Sequence, residues 1–231
     1  AWWTCRKAPK FCDVVTYTGT GSSRSVSHNL GHDVGMVMVK KTSGAGSNWR
    51  VWHRGMGGSN YLTLNATTSS NSSNSVFNGA PTSTQINLGA SGSVNASGES
   101  YVAYIFAHNN SDGDFGPNSD QDIIKCGSYT GNSSTTGPEI DLGFEPQWIM
   151  IRSTSSGDWH IIDSMRGIAD VNSQTPSLEP NDTSAEDYES PVRLLANGFQ
   201  LKTTNNNYNG SNTYIYVAIR RGPLAEPTSA T

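Results

Sequence analysis

The chain writes one stretch of itself twice, and this duplication constrains its fold more than any other feature. Tyr17-Thr18-Gly19 begins a segment that passes through Asn29-Leu30-Gly31 and Met36-Val37-Met38-Val39-Lys40 to Asn48-Trp49-Arg50-Val51-Trp52. Tyr129-Thr130-Gly131 begins a second, passing through Asp141-Leu142-Gly143 and Trp148-Ile149-Met150-Ile151-Arg152 to Asp158-Trp159-His160-Ile161-Ile162. Tyr17 and Tyr129 lie 112 positions apart, as do Leu30 and Leu142, while Trp49 and Trp159 lie 110 apart. A two-residue deletion is therefore all that separates the copies over this stretch. Such self-similarity predicts one unit built twice instead of one large irregular domain.

Within each copy the apolar residues come in short runs rich in Val, Ile, Thr and Tyr, separated by Gly, Ser and Asn. That is the pattern of strands and turns. Strands are predicted over 11–18, 34–40, 49–54, 61–64, 84–88 and 100–107, and in the second copy over 199–201 and 213–220. No window sustains a helical period. The expected fold is all-β: two tandem β-sandwich repeats, jelly-roll-like, with little or no helix. Residues 1–10 read as the last strand of a preceding repeat (Ala1-Trp2-Trp3-Thr4) and a connector holding Pro9. Repeat 1 spans 11–108, an acidic Gly/Pro linker 109–121, repeat 2 122–221, and an exit segment 222–231. The first copy carries a Ser/Asn-rich loop at 65–80. The second has an acidic insertion at 176–191 in its place, with Glu179, Asp182, Glu186, Asp187 and Glu189.

Composition excludes several functions. A formal net charge of −4 is the wrong sign for nucleic acid, which is bound through a basic surface. No apolar run reaches the roughly 18–20 residues that span a bilayer, so membrane insertion is not expected. Three cysteines, Cys5, Cys12 and Cys126, cannot all pair, and free, partly buried thiols are the default reading; a Cys5–Cys12 bridge stays open. No nucleophile elbow, metalloprotease helix or phosphate loop is present.

Alternation along 49–54 puts Trp49, Val51 and His53 inward and Arg50, Trp52 and Arg54 outward. An exposed indole flanked by two guanidinium groups would suit stacking on a sugar ring or pairing with an anionic glycan, so these three are the candidate glycan-binding residues. The alternative is that Trp52 packs against a neighbour. In the linker, Asp112, Asp114 and Asp120, with Asp122 nearby, resemble a calcium loop in oxygen density but lack its spacing and terminal Glu. No other cofactor is expected. His28 and His32, beside Asp33, read as turn residues before they read as metal ligands. Asp163 with Glu139 or Asp141 could form the carboxylate pair of a glycosidase. Their counterparts in the first copy are His53, Ser27 and Asn29, so no acid pair recurs and no enzyme is expected. Across the copies the shared positions look like apolar scaffold, and the polar residues look free to differ.

Several phrases together resemble a known family. They are 11-Phe-Cys-Asp-Val-Val-Thr-Tyr-Thr-Gly, Ser27-His28-Asn29-Leu30-Gly31, Tyr101-Val102-Ala103-Tyr104, 125-Lys-Cys-Gly-Ser-Tyr-Thr-Gly-Asn, 143-Gly-Phe-Glu-Pro-Gln-Trp-Ile-Met-Ile and Thr213-Tyr214-Ile215-Tyr216-Val217-Ala218. The family is the repeat family of tail and tail-fibre proteins of marine bacteriophages, especially those of cyanobacteria. The resemblance covers about residues 9–221 and implies a virion structural protein of the tail, made in the bacterial host cytoplasm. Its implied partners are other tail proteins, two further copies in a homotrimer, and host-surface polysaccharide. A capsid decoration protein and a polysaccharide-degrading tailspike are the alternatives. The resemblance brings no catalytic or ligand residues with it, and Cys5 and Cys12 stand where it leads one to expect apolar or aromatic side chains.

Overall fold

The computed structural model describes residues 4–168, 174–189 and 191–222. The expected strand at Ala1-Trp2-Trp3 and most of the exit segment lie outside these residues. In the first half the strands are β1 (Cys12–Thr18), β2 (Arg24–Ser27), β3 (Val34–Lys41), β4 (Arg50–His53), β5 (Asn60–Thr63), β6 (Asn71–Ser72), β7 (Gln85–Leu88) and β8 (Ser100–Ala107). A four-residue helix, α1 (Gly92–Asn95), sits before β8 with Ser91 as its N-cap. The second half holds β9 (Ile124–Thr130), β10 (Glu139–Asp141), β11 (Pro146–Ser153), β12 (Trp159–Asp163), β13 (Thr175–Ser177), β14 (Asp187–Glu189), β15 (Val192–Leu195), β16 (Gly198–Leu201) and β17 (Thr213–Arg220). Among the described residues no helix is long and apolar enough to cross a membrane.

The fold is all-β and sandwich-like, and every sheet is antiparallel. In the first half a six-stranded sheet runs β1-β8-β3-β4-β5-β6 and is covered by the pair β2-β7. The second half has a four-stranded sheet, β9-β17-β11-β12, covered by β10-β16-β15. The orders β1-β8-β3-β4 and β9-β17-β11-β12 correspond strand for strand, and their registers agree: Met36 faces His53 where Trp148 faces Asp163.

The registers also show what each sheet face meets. Val37, Trp52 and Ile105 are cross-strand neighbours, so they share a face, and it is buried under the Val26, Ile86 and Leu88 side of β2-β7. Met36, Val51 and His53 project from the opposite face. His53 Nε2 meets the carbonyl oxygen of Tyr216 at 3.0 Å, so this face looks at the second half. From the other side Trp159, Ile161 and Met150 look back: Trp159 Nε1 donates to the Thr63 carbonyl at 3.0 Å, and Arg152 Nη2 to that of Thr68 at 2.9 Å. Met36, Val51, Met150, Trp159, Ile161, Ile215 and Val217 all belong to one buried cluster that joins the halves. At about 1.5–3 kcal/mol per fully buried large apolar side chain, seven residues amount to more than 10 kcal/mol gross, comparable to the net stability of a whole domain. The halves are thus two sandwiches back to back, in four layers, with their large sheets against each other. Gly35 allows one close approach, because a Cβ there would meet the Cys126 thiol and would lie 2.6 Å from the Ala107 carbonyl oxygen.

Equivalent tyrosines clamp equivalent loops. Tyr17 stacks on Tyr101 at 5.2 Å, and Tyr129 on Tyr214 at 5.0 Å. Asn95 and Asn209, both fully buried, accept from the amides of Thr20 and Asn132 at 2.9 and 3.0 Å. The expectation that only apolar positions would recur is therefore corrected. A buried amide that satisfies turn backbone is as much scaffold as a valine.

Candidate functional site

The glycan platform predicted from alternation does not form. Trp52 is only 3% exposed, lies in the first-half core and donates from Nε1 to the Gly58 carbonyl at 2.9 Å. Alternation does hold along β4, with Val51 and His53 on the other face. Both faces are covered, however, one by β2-β7 and one by the second half, so "outward" does not mean solvent. Arg50 donates to Thr63 Oγ1 at 2.8 Å and lies over the Tyr61 ring at 5.2 Å. Arg54 reaches toward Asp33 at 3.8 Å. The three side chains make no common surface.

Three of the linker acids, Asp112, Asp114 and Asp122, are occupied by protein partners. Asp122 accepts from the amides of Ser111, Asp112 and Gly113 at 2.7–3.2 Å, and so holds the linker as a turn. Asp112 accepts from the Asn110 amide at 2.7 Å and meets His32 Nε2 at 3.1 Å. Desolvation raises its pKa, but the Asn110 amide and His32 outweigh that and hold the carboxyl below its ordinary value. Asp114 pairs with Lys10. Among the described residues Asp112, Asp114 and Asp120 are not brought together as a metal-holding group. His28 is buried, and its Nδ1 accepts from the Leu30 amide at 3.3 Å. The supposed carboxylate pair separates onto different sheets. Asp163 is 2% exposed on β12 and bonded to Arg166 at 3.0 Å, whereas Glu139 and Asp141 lie on the edge strand β10.

The structure assembles another group instead. Asp158, His160 and Glu179 each offer a ligand atom within 4.8 Å of the others. His160, on β12, shares a face with Ile162 and is 1% exposed. Asp158 lies two residues earlier, where the strand begins. Glu179 follows Leu178, whose backbone is paired with Ile161 at 2.8 and 3.0 Å and so brings the acidic insertion against β12. Asn181 ties these together, accepting from the Trp159 amide at 2.8 Å and donating to Asp158 Oδ1 at 2.7 Å.

The electrostatics of this group are unbalanced. Burial raises the Glu179 pKa, and the charges of Asp158, Asp182, Asp187 and Glu189 raise it further. Burial also raises that of Glu189, with Asp187 adding to it. His160 is pulled down to about 4, chiefly by desolvation, so it is neutral at pH 7. Its Nδ1 lies 2.9 Å from Tyr208 Oη and 3.7 Å from Glu179 Oε1, while its Nε2 is buried without a hydrogen-bond partner. Tyr208 Oη donates to Ser177 Oγ at 3.4 Å. With that proton so placed, the hydroxyl accepts from Nδ1–H, and Nε2 carries a free lone pair. Aspartate and histidine two positions apart at a strand start, followed by an acidic insertion, are the signal the sequence offers. No spacing rule connects Glu179 to them.

The fold and this cluster define an all-β protein with a polar centre confined to its second half. The chain belongs to the family described as "Domain of unknown function (DUF7483)", whose model matches residues 10–223. No curated protein matches the chain. A solved structure described as "Crystal Structure of the STIV MCP" is similar over 90% of this chain and 95% of that one, at 10% identity and a TM-score of 0.23. Likeness at that level carries no argument about this protein.

Proposed function

We propose that this chain is a structural module of a bacteriophage virion, in or on the tail, which works by shape and stability and not by catalysis. The observation that carries this reading is the back-to-back packing of the halves. Large sheets in corresponding orders bury corresponding faces against each other and form one block. Such a block suits a load-bearing particle component, with the loops that differ between the halves at its edges. The resemblance of the repeated framework to marine phage tail and fibre repeats turns "rigid block" into "tail module". The engagement of Asp163 by Arg166, away from Glu139 and Asp141, supports a non-enzymatic role.

The test is immunogold electron microscopy of intact phage particles, using antibody raised against the purified chain. Label along tails is the expected result. Label over the capsid lattice would instead favour a decoration protein, and particles without label would overturn the reading. A second assay incubates the chain with host polysaccharide; newly formed reducing ends would establish the tailspike alternative.

A further inference from the structure

We propose that Asp158, His160 and Glu179 form a binding site for a divalent transition-metal ion, with Zn2+ the ion whose preferences they meet best. The donor set is one imidazole and two carboxylates. Imidazole suits zinc and its neighbours in the first transition row, whereas calcium takes six to eight oxygens in a looser shell. The ligands of a tetrahedral ion held at about 2.1 Å sit about 3.4 Å apart. Atoms already within 4.8 Å of one another are close to that spacing.

Three independent features point to an ion here. The first is the imidazole of His160, 1% exposed, whose Nδ1 lies 3.7 Å from Glu179 Oε1 and whose Nε2 is buried without a hydrogen-bond partner. A polar atom left in that state costs about 1–3 kcal/mol, and native structures rarely tolerate it without a partner. The second is the pair of groups that orient the ligands. Tyr208 Oη, itself bonded to Ser177, fixes the imidazole at Nδ1, and Asn181 holds one oxygen of Asp158. Metal ligands are commonly oriented by hydrogen bonds from neighbouring side chains. The third is the equivalent place in the first half, where Arg50 stands in the position of His160: Arg50 pairs with Val39 as His160 pairs with Ile151. The first half thus has a built-in cation where the second gathers carboxylates around an imidazole. Asp182, Asp187 and Glu189 add negative charge around the same point, and Glu189 Oε2 is itself buried without a partner.

A bound ion would pin the acidic insertion to β12 through Glu179, because Asp158 and His160 belong to the sandwich and Glu179 to the insertion. The experiment uses the full chain stripped with EDTA, titrated with ZnCl2 by calorimetry and followed by thermal unfolding. We expect one zinc per chain, a higher midpoint of unfolding, and slower proteolysis within the insertion. Glu179→Gln and Asp158→Asn should each weaken binding at least tenfold, and Asp112→Asn, in the linker, should leave it unchanged. Circular dichroism of each variant separates loss of a ligand from loss of the fold. No zinc binding by the wild-type chain would overturn the proposal. So would undiminished binding by both folded ligand variants, or calcium binding as tight as zinc.

Discussion

Trp159 is the residue through which the second half grips the first, and its truncation should destabilise the whole chain. The indole is 1% exposed, lies in the cluster that joins the halves, donates to the Thr63 carbonyl and has Arg152 over its ring at 5.9 Å. Trp→Ala in a core costs about 3–5 kcal/mol through lost burial and the cavity left behind. The orphaned Thr63 carbonyl and the lost cation–π contact place Trp159→Ala toward the upper end. For a chain of this size each kcal/mol moves the midpoint by about 2–4 °C, so Tm should fall by roughly 8–20 °C. Trp159→Phe keeps most of the apolar area and loses the hydrogen bond, for about 1–3 kcal/mol. The assay is urea unfolding followed by far-UV circular dichroism and by tryptophan fluorescence. One coincident transition is expected, displaced in the variants with its slope unchanged. Two separated transitions in the wild-type chain, or a loss below about 1 kcal/mol for Trp159→Ala, would refute the shared core.

Trp52→Ala should cost about 3–5 kcal/mol in the same measurement, because the indole is core and not platform; a variant as stable as wild type would put Trp52 back on the surface. Asp163→Asn should destabilise by up to about 3 kcal/mol, because the largely buried Arg166 loses one of its two carboxylate partners and keeps Glu186 at 3.4 Å, and loss of a polysaccharide-cleaving activity with unchanged stability would contradict that. Stability should also fall on the acid side. Burial holds the His53 pKa near 3, against about 6.5 in the unfolded chain. Below pH 6.5 the unfolded chain takes up a proton that the folded chain refuses. The stability contributed by neutral His53 is therefore complete above that pH and is lost as pH falls toward 3. Between pH 6.5 and 5 this one residue removes about 2 kcal/mol, while His108 and His160, both depressed by burial to about 4, act in the same direction. Urea titrations at pH 7 and 5 should show a smaller loss for His53→Gln, and an equally steep loss would discard the assignment.

What was legible in the sequence was local. The strands at 100–107 and 213–220 coincide with β8 and β17, because long alternating Tyr/Val/Ile runs between Gly and Asn turns admit little else. β2 is not among the predicted strands, since Arg24-Ser25-Val26-Ser27 carries one apolar residue and becomes a strand only through its pairing with β7. The hairpin β13-β14, which brackets an insertion of mostly polar residues, was hidden for the same reason. At the sites the failure was of another kind. Period-two alternation separates the two faces of a strand but does not say which face is wet, and β4 is covered on both. The His160 group was out of reach because Glu179 joins it through a backbone pairing of Leu178 with Ile161, and composition carries no trace of that contact.

The packing of the halves also changes what repetition can achieve. Corresponding faces meet: Met36 and Val51 of the first half belong to one cluster with Met150 and Ile161 of the second, and Val51 and Ile161 are themselves counterparts. An interface in which equivalent surfaces meet is closed, because it uses up the same patch on both sides. A third unit could not join by the same face, so open stacking of the kind seen in solenoid arrays is not available through it. The apolar outer face of each large sheet is covered by the other half of the same chain. Among the described residues the large apolar side chains left exposed are Val14, Tyr188 and Met165, the last 91% exposed. Met165 also helps line a cavity of about 360 Å3 between the two large sheets, with Met36, Phe106, Trp148 and Ile219. If longer assemblies form, their building unit is the closed pair, and its contacts with the next pair must come from sandwich edges and loops. Those are the places where the two halves differ most, with the serine-rich loop in one and the acidic insertion bearing Glu179 in the other.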